Sequence, residues 1–279
     1  MGIDKLNLTI YEPPDTELLE EIGIVSEDEY RNRFYKYFCN LGPIQIMWKP
    51  HKYGPESNEK IAYTKIDCSP KHFSSFQELM RCVQSYFSTP NVISLDRFTI
   101  SRVDVKADIE NLPLDVVQAR LFMKGLRKSS SKFIYGSIYM GKNPMTRIYD
   151  KLGELKYQKK KGADLTAWEE KVLTEEKEVT RFEVVIKRPG LTLDQLAKAP
   201  GYLVSYLEKL EFYDFEDDDN IAAVGGLQLL LRNTRREFRK GLDGFKDKAL
   251  KQLIRENSLV GVRTWFNGES RIINEDVPF

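Results

Sequence analysis

Residues 97–108, RFTISRVDVKAD, and residues 179–188, VTRFEVVIKR, alternate in a way that decides the fold. Side chains of a β-strand have period two, so Val103, Val105 and Ala107 point one way while Arg102, Asp104, Lys106 and Asp108 point the other. In the second stretch Phe182, Val184 and Ile186 share an apolar face, with Arg181, Glu183 and Lys187 opposite. A third stretch, TRIYDK at 146–151, sets Arg147, Tyr149 and Lys151 on one side. Each is a strand with one face for a core and one carrying charge.

Working outward, strands are predicted at Leu6–Tyr11, Ile44–Trp48, Ile61–Ile66, Phe133–Met140 and Thr146–Lys151. Helix starts come from capping signals. Ser26 with Glu29 heads a predicted helix rich in Tyr and Phe, Ser75 with Glu78 a helix reaching about Phe87, and Thr166 with Glu169 a charged helix. Thr192 with Gln195 is a further capping box, with Leu191 and Leu196 spaced as a hydrophobic staple. A short helix is predicted from Leu114 to Leu126. Short returns between strands favour antiparallel pairing. The expected architecture is α+β: an antiparallel β-sheet with helices packed on one face, followed by a helical, basic C-terminal part. A boundary is expected near residue 190 or within the acidic stretch Glu211–Asp219, dividing the chain into regions 1–190 and 191–279, the second helical over Leu227–Arg255 with breaks at Gly241 and Gly244.

Composition narrows the function. The chain has 279 residues, 41% hydrophobic and 30% charged, enough for a buried core. Its 43 basic and 42 acidic side chains leave a net charge of +1, so bulk charge does not draw it to nucleic acid, although a local patch still can. No apolar run of membrane-spanning length and no signal-like N-terminus occur, and three scattered cysteines, Cys39, Cys68 and Cys82, fit a reducing cytosol; a cytoplasmic protein without a membrane partner is expected. His51 and His72 are too few and too far apart for a zinc site.

If the three strands are neighbours, one polar face collects Asp104, Glu183, Arg147, Tyr149 and Lys151. Hard carboxylate oxygens suit Mg²⁺ or Mn²⁺, an ion that polarises a phosphodiester, while Arg147 or Lys151 neutralises developing charge. A tyrosine hydroxyl beside them can serve as nucleophile. Periodicity by itself is equally satisfied by a solvated strand face, and among 14 tyrosines spacing does not single out Tyr149.

The order RVDVKAD, FIYGSIYMGKNPMTRIYDK, a charged helix and TRFEVVIKR resembles the replication initiation factor (Rep-trans) family, initiators of rolling-circle plasmids with relatives in filamentous phages and integrative elements. The resemblance spans roughly residues 95–190. It implies a nicking and closing enzyme whose tyrosine attacks the double-strand origin, keeps the 5′ phosphate and frees a 3′-hydroxyl primer. Matched motif by motif, that tyrosine is Tyr149, with Tyr135 and Tyr139 just upstream as alternatives. The metal ligands fall on Asp104 and Glu183, with Asp108 as a further metal or support candidate and Arg147 as a phosphate contact. Origin DNA, a host helicase with its replication machinery, and a second copy in a homodimer are the partners the resemblance implies. The rival readings are a DNA-binding regulator without chemistry and a phage or integrative-element relaxase using the same reaction.

The segment 232–255 carries nine basic side chains, Arg232, Arg235, Arg236, Arg239, Lys240, Lys246, Lys248, Lys251 and Arg255, against three acidic ones. Arg232, Arg235, Arg236 and Arg239 recur at i, i+3, i+4 and i+7, one face of a helix. A solvated helix face has the same pattern; beside an initiator-like region it is expected to read origin DNA through phosphates or a major groove.

Overall fold

The structure, a computed structural model, describes residues 2–28, 34–51, 63–88, 92–123, 131–134, 136–212 and 248–267. Among them ten strands form one antiparallel sheet. In chain order they are β1 (Ile3–Ile10), β2 (Val25–Glu27), β3 (Tyr35–Leu41), β4 (Ile44–Pro50), β5 (Thr64–Cys68), β6 (Thr99–Glu110), β8 (Ser131–Ile134), β9 (Ser137–Gly141), β10 (Met145–Asp150) and β11 (Val179–Lys187). Across the sheet the order is β2-β3-β4-β5-β1-β6-β11-β10-β9-β8. A separate ribbon pairs β7 (Leu121–Met123) with β12 (Leu210–Phe212). The helices are α1 (Thr16–Ile22), α2 (Phe76–Gln84), α3 (Leu114–Arg120), α4 (Lys151–Lys160), α5 (Ala167–Thr174), α6 (Leu193–Lys198) and α7 (Lys248–Asn267), with a 3₁₀ segment at Pro200–Lys209. The expected α+β sheet is present, and no helix among the described residues is long and apolar enough to cross a membrane.

The apolar halves of the alternating strands make the core. Val103, Val105 and Ala107 of β6 and Phe182, Val184 and Ile186 of β11 are buried in one cluster with Leu79 and Val83 of α2 and Ile254, Val262 and Trp265 of α7. Trp265 meets the Phe76 ring edge-on at 5.6 Å, and Gln77 donates to the Phe266 carbonyl at 2.9 Å, so α7 and α2 lock together over the sheet. On α7 the buried residues Leu250, Ile254, Ser258 and Val262 recur every four positions, the stripe an amphipathic helix lays on a core. Its N-terminal neighbour in space is Gly2, where even a Cβ would approach the Val262 nitrogen to 2.6 Å. The break expected near residue 190 falls between β11 and α6, and described residues on both sides contribute to this one core.

The other face of the sheet is polar, and among the described residues the α4–α5 pair lies over one part of it. Helices α4 and α5 form a hairpin around Leu155, Val172 and Val179, a small cluster distinct from the main core. Val179 has the same parity as Arg181 and Glu183, so the hairpin sits over the polar face where β11 begins. Thr166 caps α5 with the full reciprocal box to Glu169, and Asp150 caps α4 by accepting from the Gly153 nitrogen.

Several sequence expectations are corrected. Among the described residues the stretch after Ser26 is strand rather than helix, at Val25–Glu27 and Tyr35–Leu41, because Tyr37 stacks on Trp48 of β4 at 5.6 Å and Cys39 is buried in the core. The helix from Leu114 stops at Arg120, where the chain enters β7 to pair with β12. The single strand foreseen over Phe133–Met140 is a hairpin, β8–β9, turning at Gly136 with φ of +73°. Lys151 leaves the strand and becomes the first residue of α4.

Candidate functional site

Register brings the three motif strands side by side. On β10 and β11, Arg147 lies opposite Glu183 and Tyr149 opposite Arg181; on β11 and β6, Glu183 lies opposite Lys106, Arg181 opposite Asp108 and Val185 opposite Asp104. Cross-strand partners share a face, so the polar residues read off the sequence gather on one surface. There they sort into three groups.

The first group is the motif centre. Glu183 is fully buried and accepts from two directions: the Arg147 Nη2 bonds Oε1, and the Tyr149 hydroxyl donates to Oε2 at 3.1 Å. Beside it, Arg102 grips Asp104 with both prongs of its fork, Nε at 2.8 Å and Nη2 at 2.5 Å. Burial pushes the Glu183 carboxyl up despite Arg147, and the charges of Asp4 and Asp104 push the same way. Burial also raises the Tyr149 hydroxyl far above the ordinary phenol range; Arg181 opposes the rise and Glu183 adds to it. Tyr149 is therefore a neutral phenol at neutral pH, held in one orientation by the carboxylate it would lose its proton towards. Tyr139, the upstream alternative, lies opposite Arg147 on β9. Tyr135 lies outside the described residues.

The second group anchors the first. Arg181, 1% exposed, bonds both oxygens of Asp108 and reaches Asp4 at 3.0 Å, while Lys106 approaches Asp108 at 3.1 Å and Asp4 at 3.6 Å. Burial would raise the Asp108 carboxyl, but Arg181 and Lys106 outweigh it and hold the group well below the usual carboxylate range. Asp4 is lowered in the same way. Asp4 is aimed there by the irregular register between Ile3 and Lys5 on β1.

The third group fastens the hairpin. Glu169, buried, accepts from Lys71 at 2.9 Å and Lys151 at 3.2 Å as well as from Thr166, and Lys151, 2% exposed, also pairs with Glu154 at 2.7 Å. Lys106 lies 5.7 Å from the Trp168 ring, a cation–π contact that joins the second group to α5.

Of the expected site residues, Asp104, Arg147, Tyr149 and Glu183 come together. Asp108 does not join them: four residues along β6 from Asp104 is about 13 Å, too far to share an ion, and its oxygens serve Arg181 and Lys106. Lys151 is likewise drawn away from a phosphate-neutralising position into the hairpin network. Arg232, Arg235, Arg236, Arg239, Lys240 and Lys246 lie outside the described residues. Lys248 and Arg255 are exposed on α7, Lys251 is half-buried, and Arg255 pairs with Glu208 at 2.8 Å. Asp4, Lys71 and Glu169 were missed as parts of the constellation. Nothing in the order of residues marks Asp4, whereas the capping box at least flagged Glu169.

Asp104 and Glu183 are diagonal neighbours with hard oxygens, and Mg²⁺ commonly takes only one or two protein carboxylates, completing its shell with water and phosphate. Two carboxylates suit that chemistry, and each is already paired with an arginine; among the described residues no group of three or more His, Cys, Asp or Glu converges. No known family model matches the chain, and no curated protein does.

Proposed function

We propose that this chain cuts and rejoins one strand of DNA through a phosphotyrosine, in the manner of the rolling-circle replication initiators its motifs resemble. The observation that carries the reading is the Tyr149 hydroxyl on Glu183 Oε2 with Arg147 on the same carboxylate. Nucleophile, carboxylate and guanidinium sit on two paired strands, with a second Arg–Asp pair one strand away.

In this reading the Tyr149 oxygen forms a bond to phosphorus as its proton passes to Glu183, the bond from phosphorus to the 3′ oxygen breaks, and that oxygen takes up a proton from water and leaves as the free 3′-hydroxyl. Glu183 orients the nucleophile and holds its proton at Oε2 as the phenol loses it. Arg147 neutralises charge that builds on the phosphate oxygens. Buried Arg181, cross-strand from Tyr149 and paired with half-buried Asp108, keeps its strand position fixed. Mg²⁺ or Mn²⁺, held by Asp104 and Glu183, would supply further polarisation of the phosphodiester. Closing is the reverse step, with a 3′-hydroxyl attacking the phosphotyrosine.

Around this chemistry the proposal includes binding of a plasmid double-strand origin through the basic 232–255 segment, a host helicase to unwind from the nick, and a homodimer in which one site opens the round and another closes it. The test uses supercoiled DNA carrying this gene and its flanks, incubated with protein and Mg²⁺ or Mn²⁺. Nicked and relaxed products that vanish in Tyr149→Phe support strand transfer at this residue. Tight binding without cleavage under either ion would favour a DNA-binding regulator instead.

A further inference from the structure

The two ion pairs of the motif centre are layered rather than merely adjacent. The carboxylates lie underneath, with Asp104 and Glu183 side chains 2% and 0% exposed, while the guanidiniums of Arg102 and Arg147 lie on top, 27% and 29% exposed. Asp104 and Glu183 are diagonal neighbours on β6 and β11, so the two pairs lie side by side on one face. A guanidinium has five N–H donors, and these pairs do not use them all. Arg102 spends Nε and Nη2 on Asp104 and turns its remaining nitrogen away from that carboxylate. On Arg147, Nε is buried with no partner. Cross-strand from Arg102 stands Lys187, exposed, and cross-strand from Asp104 stands half-buried Lys5 on β1. The α4–α5 hairpin covers the Tyr149 and Arg181 side of this face.

We infer that Arg102 is a second phosphate-binding arginine, and that Arg102, Arg147 and Lys187 form a cationic cradle for the phosphodiester backbone of a single strand laid along this face. The buried carboxylates hold the forks flat, so that binding an anion costs little ordering of long side chains. Lys would not replace Arg102, because one ammonium cannot grip Asp104 with two parallel bonds and face a phosphate as well. The inference deepens the proposed strand transfer by naming where the substrate backbone lies, and it rests on that reading only for the kind of anion.

Arg102→Ala would strand a buried Asp104, so the test compares Asp104→Asn with Arg102→Gln/Asp104→Asn, both in a Tyr149→Phe background that removes cleavage. Binding of a mixed-sequence single-stranded 20-mer is followed by fluorescence anisotropy across a salt series, with melting curves to confirm folding. Asp104→Asn removes a negative charge while its amide oxygen still accepts a bond that orders the Arg102 fork, and should tighten binding several-fold. Adding Arg102→Gln should weaken it about tenfold from there and lower the magnitude of the log–log salt slope by about 0.7, the loss of one phosphate contact on a single strand. Equal affinity and equal slope in the two folded variants would overturn the inference. Nicking by the protein with native Tyr149 is read separately: Arg102-dependent binding without nicking by that protein would leave the cradle standing and remove the strand-transfer reading.

Discussion

Replacing Glu169 by Gln tests whether the α4–α5 hairpin is held by charge. Burial would raise this carboxyl, but the Thr166 backbone N–H, Lys71 and Lys151 together hold it at about 2 instead of an ordinary 4.5. A displacement of that size corresponds to about 3 kcal/mol of folded-state stability at neutral pH. The side chain is 4% exposed, so solvent screening takes little from this figure. Gln preserves the volume and can still accept from Thr166, but it leaves Lys151, 2% exposed, with Glu154 alone. At roughly 2 °C per kcal/mol for a chain of this length, Glu169→Gln should melt about 6 °C lower at pH 7. The sign with pH is fixed by the lowered carboxyl: the stabilisation is complete above about 4.5 and disappears as pH falls towards 2. The gap between wild type and variant, followed by urea denaturation from pH 7 downward, should therefore close below pH 4.5. Other acids titrate in both proteins and cancel in the difference. A gap below 0.5 kcal/mol at pH 7, or one that stays constant to pH 3, would refute the network as the hairpin's fastening.

The anchoring group makes a sharper mutational prediction. Arg181→Met should cost about 3–5 kcal/mol by stranding Asp4 and Asp108, and adding Asp108→Asn should recover a measurable part of it; a double variant as unstable as the sum of the singles contradicts the pairing. Trp265→Ala should cost about 3–5 kcal/mol and lower the unfolding midpoint of the whole sheet in one transition, whereas a separate early transition for α7 would show that it is not part of that core. Because Glu183, pushed up to about 7 by burial, must be ionised to take the Tyr149 proton, single-turnover nicking should rise as pH passes through 7 and level off above about 8; a rate that falls over this interval rejects Glu183 as the proton acceptor.

Much of the face that matters was legible because period-two alternation is strict in RVDVKAD and broken at Val185 in RFEVVIK, and both stretches are strands with the core side where the pattern puts it. Alternation assigns a side chain to a face but not to a partner. The same strand supplied Asp104 to the motif centre and Asp108 to the anchor, and only the register with Arg181 separates them. Lys151 continued the parity of Tyr149 on paper, yet Asp150 accepts from the Gly153 nitrogen and turns the chain into a helix at that point. The misread helix after Ser26 shows the same limit from the local side. A capping pattern is read over four residues, while the aromatic run that follows is recruited by β4, whose pairing no local signal contains. Asp4 escaped notice because a bulge, not a motif, aims it at Arg181.

The central claim is that Tyr149 carries the covalent bond, and the most direct measurement locates that bond. Wild-type protein would be reacted with origin-containing DNA, the adduct digested with nuclease and trypsin, and the nucleotide-bearing peptide sequenced by mass spectrometry. The account predicts a phosphonucleotide on Tyr149, in the peptide that follows Arg147. Attachment at Tyr135 or Tyr139, or cleavage that leaves no covalent peptide, would contradict it.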